Sequence, residues 1–391
     1  MKTLYSFLIF FMDLFYYLSN RMKKRPCSKV KKILLIKLDA IGDYILFRNF
    51  ISEIKKSEKF TGYNITLAGN KIWKSMSECL DNGYIDKFIW IDRHKFCRNL
   101  FYRWKTYEKI NEEYFIYAIH PNYSREFISG DSLILFSNAR YKIGSDGDDN
   151  NIHFLQKALS NKFYSKLVPC RKGVVFEFNR NKEFFENIIG DRICLRRPYI
   201  KKRPNNETFR LPSEYIIIFV GAGKQFRKWP LGKLYDVVNY LLTKTNYQLV
   251  VCGGSSDIDD ALILIKKFGD QALLNLTGKT SLMELVSIIS GAKLLVSNET
   301  SAPHIAIAVD TPTVVISNGN HYGRFTPYPA SITKKYYCAY PQQIEANLDD
   351  VDLLCQKYGK GSRLPIQNVS SKSVIKLIEK AISQIHVEEP A

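Results

Sequence analysis

The residues best placed for chemistry sit just after apolar runs. Asp39 and Asp43 flank Gly42 in KLDAIGD (37–43), directly after KILLIKL. A carboxylate at a helix N-terminus has its charged form favoured, which suits a base that must be ionised. Further along, GAGKQFRKWP (221–230) groups Gly223 with the cations Lys224, Arg227 and Lys228. VVCGGSSD (250–257) places Asp257 after Gly253 and Gly254. Glu299, Thr300, Ser301, Ala302, Pro303 and His304 follow another apolar run. Pro303 sits where a first helical residue is expected, since its missing N–H is not needed there. Free N–H groups and the positive end of the helix dipole then converge on one point, which suits a phosphate or diphosphate. Lys224, Arg227 and Lys228 have the charge to neutralise such a group, and Asp257 has the acceptors for a ribose diol. His120, Pro121 and Asn122 end another apolar run.

Each feature also has a plainer reading. Asp43 can be a helix cap, and Asp39 can end its strand and hold the loop. Arg227 and Lys228 can be solvated, and glycines follow strands in many α/β proteins. Glu299, Thr300 and Ser301 can simply cap a helix, with His304 a satisfied surface residue. One nucleotide diphosphate pocket accounts for all of them together.

The elements that would position these residues alternate. The sequence predicts strands at 32–38 and near 64–68, 86–91 and 114–119. Helices are expected from Asp43 and near 71–80 and 96–111. Phe47, Phe50, Ile51 and Ile54 share a helical face. Residues 144–150 (GSDGDDN) read as a loop, and from about 150 to 205 the pattern weakens among many basic residues. RRPYIKKRPNNE (196–207) reads as a linker. A second series begins at Tyr215 with YIIIFV. It continues through a helix opened by Pro230, then QLVVC and LLNLTG, and a helix with the Ser281/Glu284 capping box. KLLVSNETSAPHIAIAVDTPTVVIS (293–317) completes it as strand, loop, helix and strand. The final helix, 371–386, carries an apolar stripe of Val374, Leu377, Ile378, Ala381, Ile382 and Ile385. This is α/β organisation, two Rossmann-like halves facing each other across a cleft.

The 391 residues allow two domains, and 46% hydrophobic content is enough for sizeable cores. The formal charge of +19 attracts polyanions. No basic–aromatic repeat favours nucleic acid. The eight cysteines form no C-x-x-C pair, which disfavours zinc and fits a reducing cytoplasm. Residues 3–20 are apolar and aromatic, and Arg21, Lys23, Lys24, Arg25, Lys29, Lys31 and Lys32 follow. Without a small-residue cleavage site and with Asp13 interrupting the run, neither a signal peptide nor a spanning helix is expected. Ser6, Asp13 and Asn20 recur every seven residues, a narrow polar stripe on an otherwise apolar helix. Residues 1–24 are therefore expected to lie in a membrane interface, apolar side down, with lysines beside anionic headgroups; the plainer reading is a helix packed on the protein's own core or on a partner.

The motifs KLDAIGD, GAGKQFRKWP, VVCGGSSD and the long run 276–317 together resemble glycosyltransferase family 9, the lipopolysaccharide heptosyltransferases, across about residues 31–385. The resemblance implies a GT-B fold. Residues 1–30 would form the membrane-associating segment, 31–205 the acceptor-binding domain, and 206–365 the nucleotide-sugar-binding domain. Residues 366–391 would form a C-terminal helix crossing back to the N-terminal domain. It implies inverting, metal-independent sugar transfer with no cofactor, from a nucleotide-sugar donor, ADP-heptose first among candidates. The acceptor would be the lipopolysaccharide core or a related anionic lipid-linked glycan. The setting would be the inner face of the cytoplasmic membrane. Asp43 matches the family's general base. Gly223, Lys224, Arg227, Lys228, Thr300, Ser301, Ala302 and His304 would hold the donor diphosphate. Gly253, Gly254, Asp257 and Glu299 would meet the ribose or sugar. Asp39, Gly42 and His120 would lie on the acceptor side. Arg227 stands where the family usually has lysine; Glu299 replaces an aspartate and Ser301 a glycine. Two other readings fit the same architecture. A nucleotide-sugar epimerase would isomerise sugar without acceptor, and a non-catalytic homologue would bind ligand without turnover.

Overall fold

The structure is a computed structural model that describes residues 2–20, 30–202 and 208–388. Of the expected basic patch, Arg21, Lys23, Lys24, Arg25 and Lys29 lie outside the described residues, as do 203–207 of the expected linker. The chain divides into two compact units, Met1–Lys172 with Phe178–Leu195, and Gly173–Glu177 with Arg196–Ala391.

The first unit is built on a six-stranded sheet. Its strands are β1 (Lys32–Lys37), β2 (Asn64–Asn70), β3 (Lys87–Ile91), β4 (Phe115–His120), β5 (Ala139–Ser145) and β6 (Lys166–Val168). Their spatial order is β3-β2-β1-β4-β5-β6, parallel throughout. The central β1 is buried on both faces from Ile33 onward, which explains its unbroken apolar run. The helix expected from Asp43 starts two residues earlier, at Ile41, and runs to Phe47; a second, Asn49–Lys56, continues it. Phe47, Phe50, Ile51 and Ile54 are all fully buried, the face their spacing predicts. The helix expected over 96–111 is two, Arg93–Arg98 and Leu100–Asn111. Asn99 divides them, its side chain accepting the Tyr102 N–H at 2.8 Å as an N-cap.

Residues 144–150 are only partly loop, since Gly144 and Ser145 end β5. The weakly patterned stretch after 150 holds the helices Phe154–Asn161 and Glu177–Ile189 and the short β6. Phe178, Phe184, Phe185 and Ile188 are buried, and Arg180 among them is buried as well.

Residues Lys2–Asn20 form one helix, as expected, but Asp13 of its polar stripe faces the protein. Asp13 is fully buried against Arg103, and Phe10 lies in the first unit's core. Leu4, Leu8, Phe11, Phe15 and Leu18 are exposed. No described helix is long and apolar enough to cross a membrane.

The second unit repeats the design. Its strands are β7 (Tyr215–Phe219), β8 (Gln248–Cys252), β9 (Leu273–Asn275), β10 (Leu294–Asn298), β11 (Thr313–Ile316) and β12 (Tyr336–Ala339), in the order β12-β11-β10-β7-β8-β9. All pairings are parallel. The capping box at Ser281 and Glu284 is formed, with Ser281 N–H donating to Glu284 Oε2 at 2.7 Å. The stripe of Val374, Ile378, Ala381 and Ile385 on the last helix, Ser371–Glu388, lies in the second unit's core, beside Val237, Leu241 and Ala339.

Candidate functional site

In a doubly wound parallel sheet, ligands bind beyond the carboxyl ends of the strands, where the strand order reverses. That switch point lies between β1 and β4 in the first unit and between β7 and β10 in the second. Asp39, Gly42 and Asp43 follow β1, and His120 ends β4. Gly221–Lys224 follow β7, and Glu299–His304 follow β10.

In the first unit, Asp43 is half-buried in the first turn of Ile41–Phe47, whose N-cap is Ala40 rather than Asp43 itself. Gly42 shares that turn. The helix is pinned by Tyr44, which stacks on Trp73 with centroids 4.5 Å apart and hydrogen-bonds Asp81. Arg48 Nη2 meets the same Asp81 at 2.7 Å.

Asp39 is held in a closed triangle. Lys37 Nζ lies 2.7 Å from Asp39 Oδ2 and 3.0 Å from Asn122 Oδ1, and Asn122 Nδ2 donates to Asp39 Oδ1 at 2.9 Å. Burial pushes the Asp39 carboxyl up, but Lys37, with Arg93 and His120, holds it below the ordinary carboxylate value. Its backbone oxygen accepts from Asn70 Nδ2 at 3.1 Å and Trp73 Nε1 at 3.0 Å. The loop carrying Asp43 is thus fixed from three strands.

His120 is fully buried. Its Nδ1 is 2.9 Å from Tyr164 Oη, which donates to Asp131 Oδ1 at 2.5 Å. The ring lies flat against Gly130, where a Cβ would collide with it. His120 therefore touches protein on the sides the structure describes and supports the strand end.

Beside the Asp39 loop is a cavity of about 710 Å³, lined by Asn70, Lys71, Ile72, Asp92, Arg93, His94, Cys97 and Arg98. The parallel register sets Asn70 opposite Ile91, so the segments leaving β2 and β3 emerge side by side. Lys71, His94 and Arg98 are exposed, and Arg93 pairs with Glu126. Sequence reasoning did not single out this group; its signal is DRHKFCR (92–98), three cations and a histidine in seven residues at a strand end.

In the second unit, three loops meet through Asn298. Its Oδ1 accepts the Trp229 N–H at 3.1 Å, and its Nδ2 donates to Val220 O at 3.1 Å and Gly221 O at 3.2 Å. This joins the GAGK loop, the K-W-P turn and the end of β10. Arg227 Nη1 lies 3.4 Å from Glu299 Oε1, and Ser317 Oγ donates to Glu299 Oε2 at 2.5 Å. Burial raises the Glu299 carboxyl above its ordinary value, against Arg227 and Ser317. Arg227 Nε is buried with no hydrogen-bond partner, and Gly223 and Lys224 are exposed beside it.

Ser301–Ala308 is a helix with Thr300 as N-cap, and no side chain caps its N-terminal N–H groups. Ser301 is half-buried, Ala302 fully buried, and His304 Nδ1 is 2.8 Å from Tyr328 Oη. Burial, with the Arg227 charge alongside, pulls the His304 imidazole down to about 4, so it is neutral at pH 7. The helix start, Arg227 and Lys224 form a cationic surface where an anion can settle.

Asp257 is buried as a clasp. Oδ2 accepts the Gly254 N–H at 2.9 Å, and Oδ1 lies 3.1 Å from Lys228 Nζ, which also pairs with Asp260. A Cβ on Gly221 would collide with the Asp257 carboxylate. A Cβ on Gly253 would come within 3.1 Å of Asp257 and Thr277, a tight contact rather than a collision. The charge of Lys228 is thus directed to Asp257 and Asp260, leaving Arg227 and Lys224 as the cations next to the helix start.

The family model of glycosyltransferase family 9 (heptosyltransferase) matches residues 133–351. Lipopolysaccharide heptosyltransferase 3 of Escherichia coli is 26% identical over 203 residues, covering 50% of this chain and 58% of that protein. The chain therefore spans a little over half the length of that curated relative. The crystal structure of the glycosyl transferase family 9 protein from Veillonella parvula DSM 2008 has a TM-score of 0.68 at 18% identity, over 92% of this chain and 100% of that one. E. coli ADP-heptose lps heptosyltransferase II has a TM-score of 0.64 at 15% identity, over 90% and 99%. At these identities the structural likeness is one of fold, the GT-B fold.

Proposed function

The chain belongs to glycosyltransferase family 9 (heptosyltransferase), and from that premise we propose that it transfers a sugar, with inversion, from a nucleotide-sugar donor to an anionic lipid-linked glycan. The donor proposed is ADP-heptose, the sugar nucleotide in the description of the E. coli heptosyltransferase II structure. The acceptor proposed is a lipopolysaccharide core, met at the inner face of the cytoplasmic membrane.

In this reading Asp43 takes the proton from an acceptor hydroxyl as that oxygen attacks the anomeric carbon. The new C–O bond forms on the face opposite the breaking one, and the nucleoside diphosphate leaves with the bonding electrons. The growing charge on the diphosphate is met by Arg227, Lys224 and the uncapped N–H groups of Ser301–Ala308, with Gly223, Thr300 and Ala302 lining the approach. These groups serve in place of a metal ion. Gly253, Gly254 and Asp257 meet the ribose edge, and Lys228 stiffens that loop. Glu299 faces the sugar, and His304 stands behind the diphosphate as a neutral wall. On the acceptor side, Asp39 and Gly42 shape the Asp43 turn and His120 supports the strand end. Lys71, Arg93, His94 and Arg98 receive acceptor phosphates or carboxylates.

The observation that carries this reading is the meeting of an uncapped helix N-terminus with Arg227, whose Nε is buried without a partner, at the second unit's switch point. The test has two stages. A thermal-shift screen of nucleotide sugars should show ADP-heptose raising the melting temperature, since a ligand of the folded state stabilises it. Incubation with ADP-heptose and heptose-deficient lipopolysaccharide should then extend the glycan. Sugar isomerisation by donor alone would favour an epimerase, and binding without turnover for every donor would favour a non-catalytic homologue.

A further inference from the structure

The helix Lys2–Asn20 is inside out. A surface helix normally turns its polar side to water and its apolar side to the core. Here the one acidic residue, Asp13, is fully buried against Arg103. The outward face carries Leu4, Leu8, Phe11, Phe15 and Leu18, with Phe15 75% and Leu4 76% exposed. Tyr16 stacks on Trp104 at 4.6 Å and donates to Glu108, and Phe7 and Phe10 pack on Phe127. The helix is therefore seated firmly, and its outer face is a fixed apolar stripe four turns long.

Exposed lysines stand beside the stripe, with Glu108 held by Tyr16. The neighbouring helix Leu100–Asn111 packs against it and exposes Phe101, Lys105 and Lys109 at helical spacing. Lys105 Nζ lies 4.5 Å from the centre of the Phe101 ring. An apolar stripe rimmed by aromatics and lysines matches an anionic bilayer, with side chains in the acyl boundary and ammonium groups among the headgroups. A second copy of this chain is a poorer match. It would bring another +19 of formal charge against the same lysines.

We propose that Leu4, Leu8, Phe11, Phe15 and Leu18 form a membrane-docking face for anionic phospholipid, with the helix lying in the plane of the bilayer and Asp13 turned inward as its internal lock. The proposal deepens the reading of a membrane-borne acceptor and keeps the apolar side toward the bilayer, as the sequence predicts, with Asp13 against protein rather than water. Asp13 faces protein, so headgroup contact falls to Lys105 and Lys109.

The test is co-sedimentation of the full chain with vesicles of phosphatidylcholine, alone and with phosphatidylglycerol added. Wild type should pellet with the anionic vesicles. The double substitution Phe11→Ser/Phe15→Ser should weaken that binding at least ~tenfold, given the apolar area withdrawn from lipid. Lys105→Glu should weaken it on anionic vesicles only. Leu262→Ser, which removes an exposed apolar side chain in the second unit, should bind as wild type. Wild-type binding by the double variant, or no binding by wild type, overturns the proposal. So does a wild-type dimer that the double variant splits, since a second copy would then cover the face. The melting-temperature rise on adding ADP-heptose is read in parallel. Its absence, with vesicle binding intact, would count against the donor reading and leave the docking face standing.

Discussion

Arg103 and Asp13, 90 residues apart, meet as a forked ion pair. Arg103 Nε lies 3.2 and 3.0 Å from the two carboxylate oxygens, and both side chains are fully buried. Tyr107 Oη donates to the same carboxylate at 2.9 Å, and Arg103 Nη1 donates to Phe96 O at 2.8 Å and Ile128 O at 2.7 Å. One guanidinium thus ties the N-terminal helix to three other segments of the first unit.

Breaking that pair from one side should be severe. Asp13→Ala leaves Arg103 charged and buried, at a cost of about 3–5 kcal/mol. Replacing both partners with apolar residues, Asp13→Leu with Arg103→Met, should cost less than the single change. Urea denaturation of the three proteins measures the order, and a double variant weaker than the single would count against the assignment.

Asp43→Asn should lower the rate of transfer by about 100-fold to 10,000-fold, the range for losing a general base. The side chain keeps its size, so the melting-temperature rise with ADP-heptose should persist. Turnover near that of wild type would remove Asp43 from the role of base.

His304 should make stability depend on pH in a defined window. Its imidazole takes a proton near 6.5 in the unfolded chain but only near 4 when folded. Acidification through that interval protonates the unfolded state first. The contribution is therefore complete above 6.5 and is lost as pH falls toward 4, by about 3 kcal/mol across the window. Thermal melts from pH 7 to 4 should fall more steeply for wild type than for His304→Gln; parallel curves would refute the assignment.

Lys71→Glu and Arg98→Glu change exposed cations that line the cavity beside the Asp39 loop. If that cavity takes an anionic acceptor, each should raise KM for lipopolysaccharide about tenfold, and more at low salt. KM for the nucleotide sugar should not move. Equal effects on both substrates would point to a general loss of fold instead.

Gly221→Ala would drive a methyl group into the Asp257 carboxylate. The clasp on Gly254 and Lys228 should open, with a stability loss of about 1–3 kcal/mol and weaker donor binding. Ala222→Gly, one position along on the same loop, serves as the comparison, and calorimetric titration with ADP-heptose reads both.

The two sheets were legible because their central strands are short, apolar and followed by polar or glycine-bearing turns. KILLIKL, YIIIFV and KLLVS announce β1, β7 and β10, and the switch-point residues follow directly. What escaped was non-local or diluted. β5 is buried only in its last three residues and runs into an acidic loop, and β12 is four residues within an aromatic stretch. Glu177–Ile189 hides its phenylalanines among charges. The basic cavity assembles only because β2 and β3 are neighbours. The stripe of Ser6 and Asp13 was visible, but not its direction, because Arg103 waits 90 residues downstream.

The segment Gly173–Glu177 belongs to the second unit although the chain on either side belongs to the first. Glu177 secures it there, its N–H donating to Arg324 O at 2.8 Å and its carboxylate receiving Arg324 Nε at 2.9 Å. Neither half of the molecule is thus a continuous length of polypeptide. A hybrid made by splicing two homologues at one junction would inherit a foreign graft, and an isolated 196–391 fragment would expose the empty berth of Glu177.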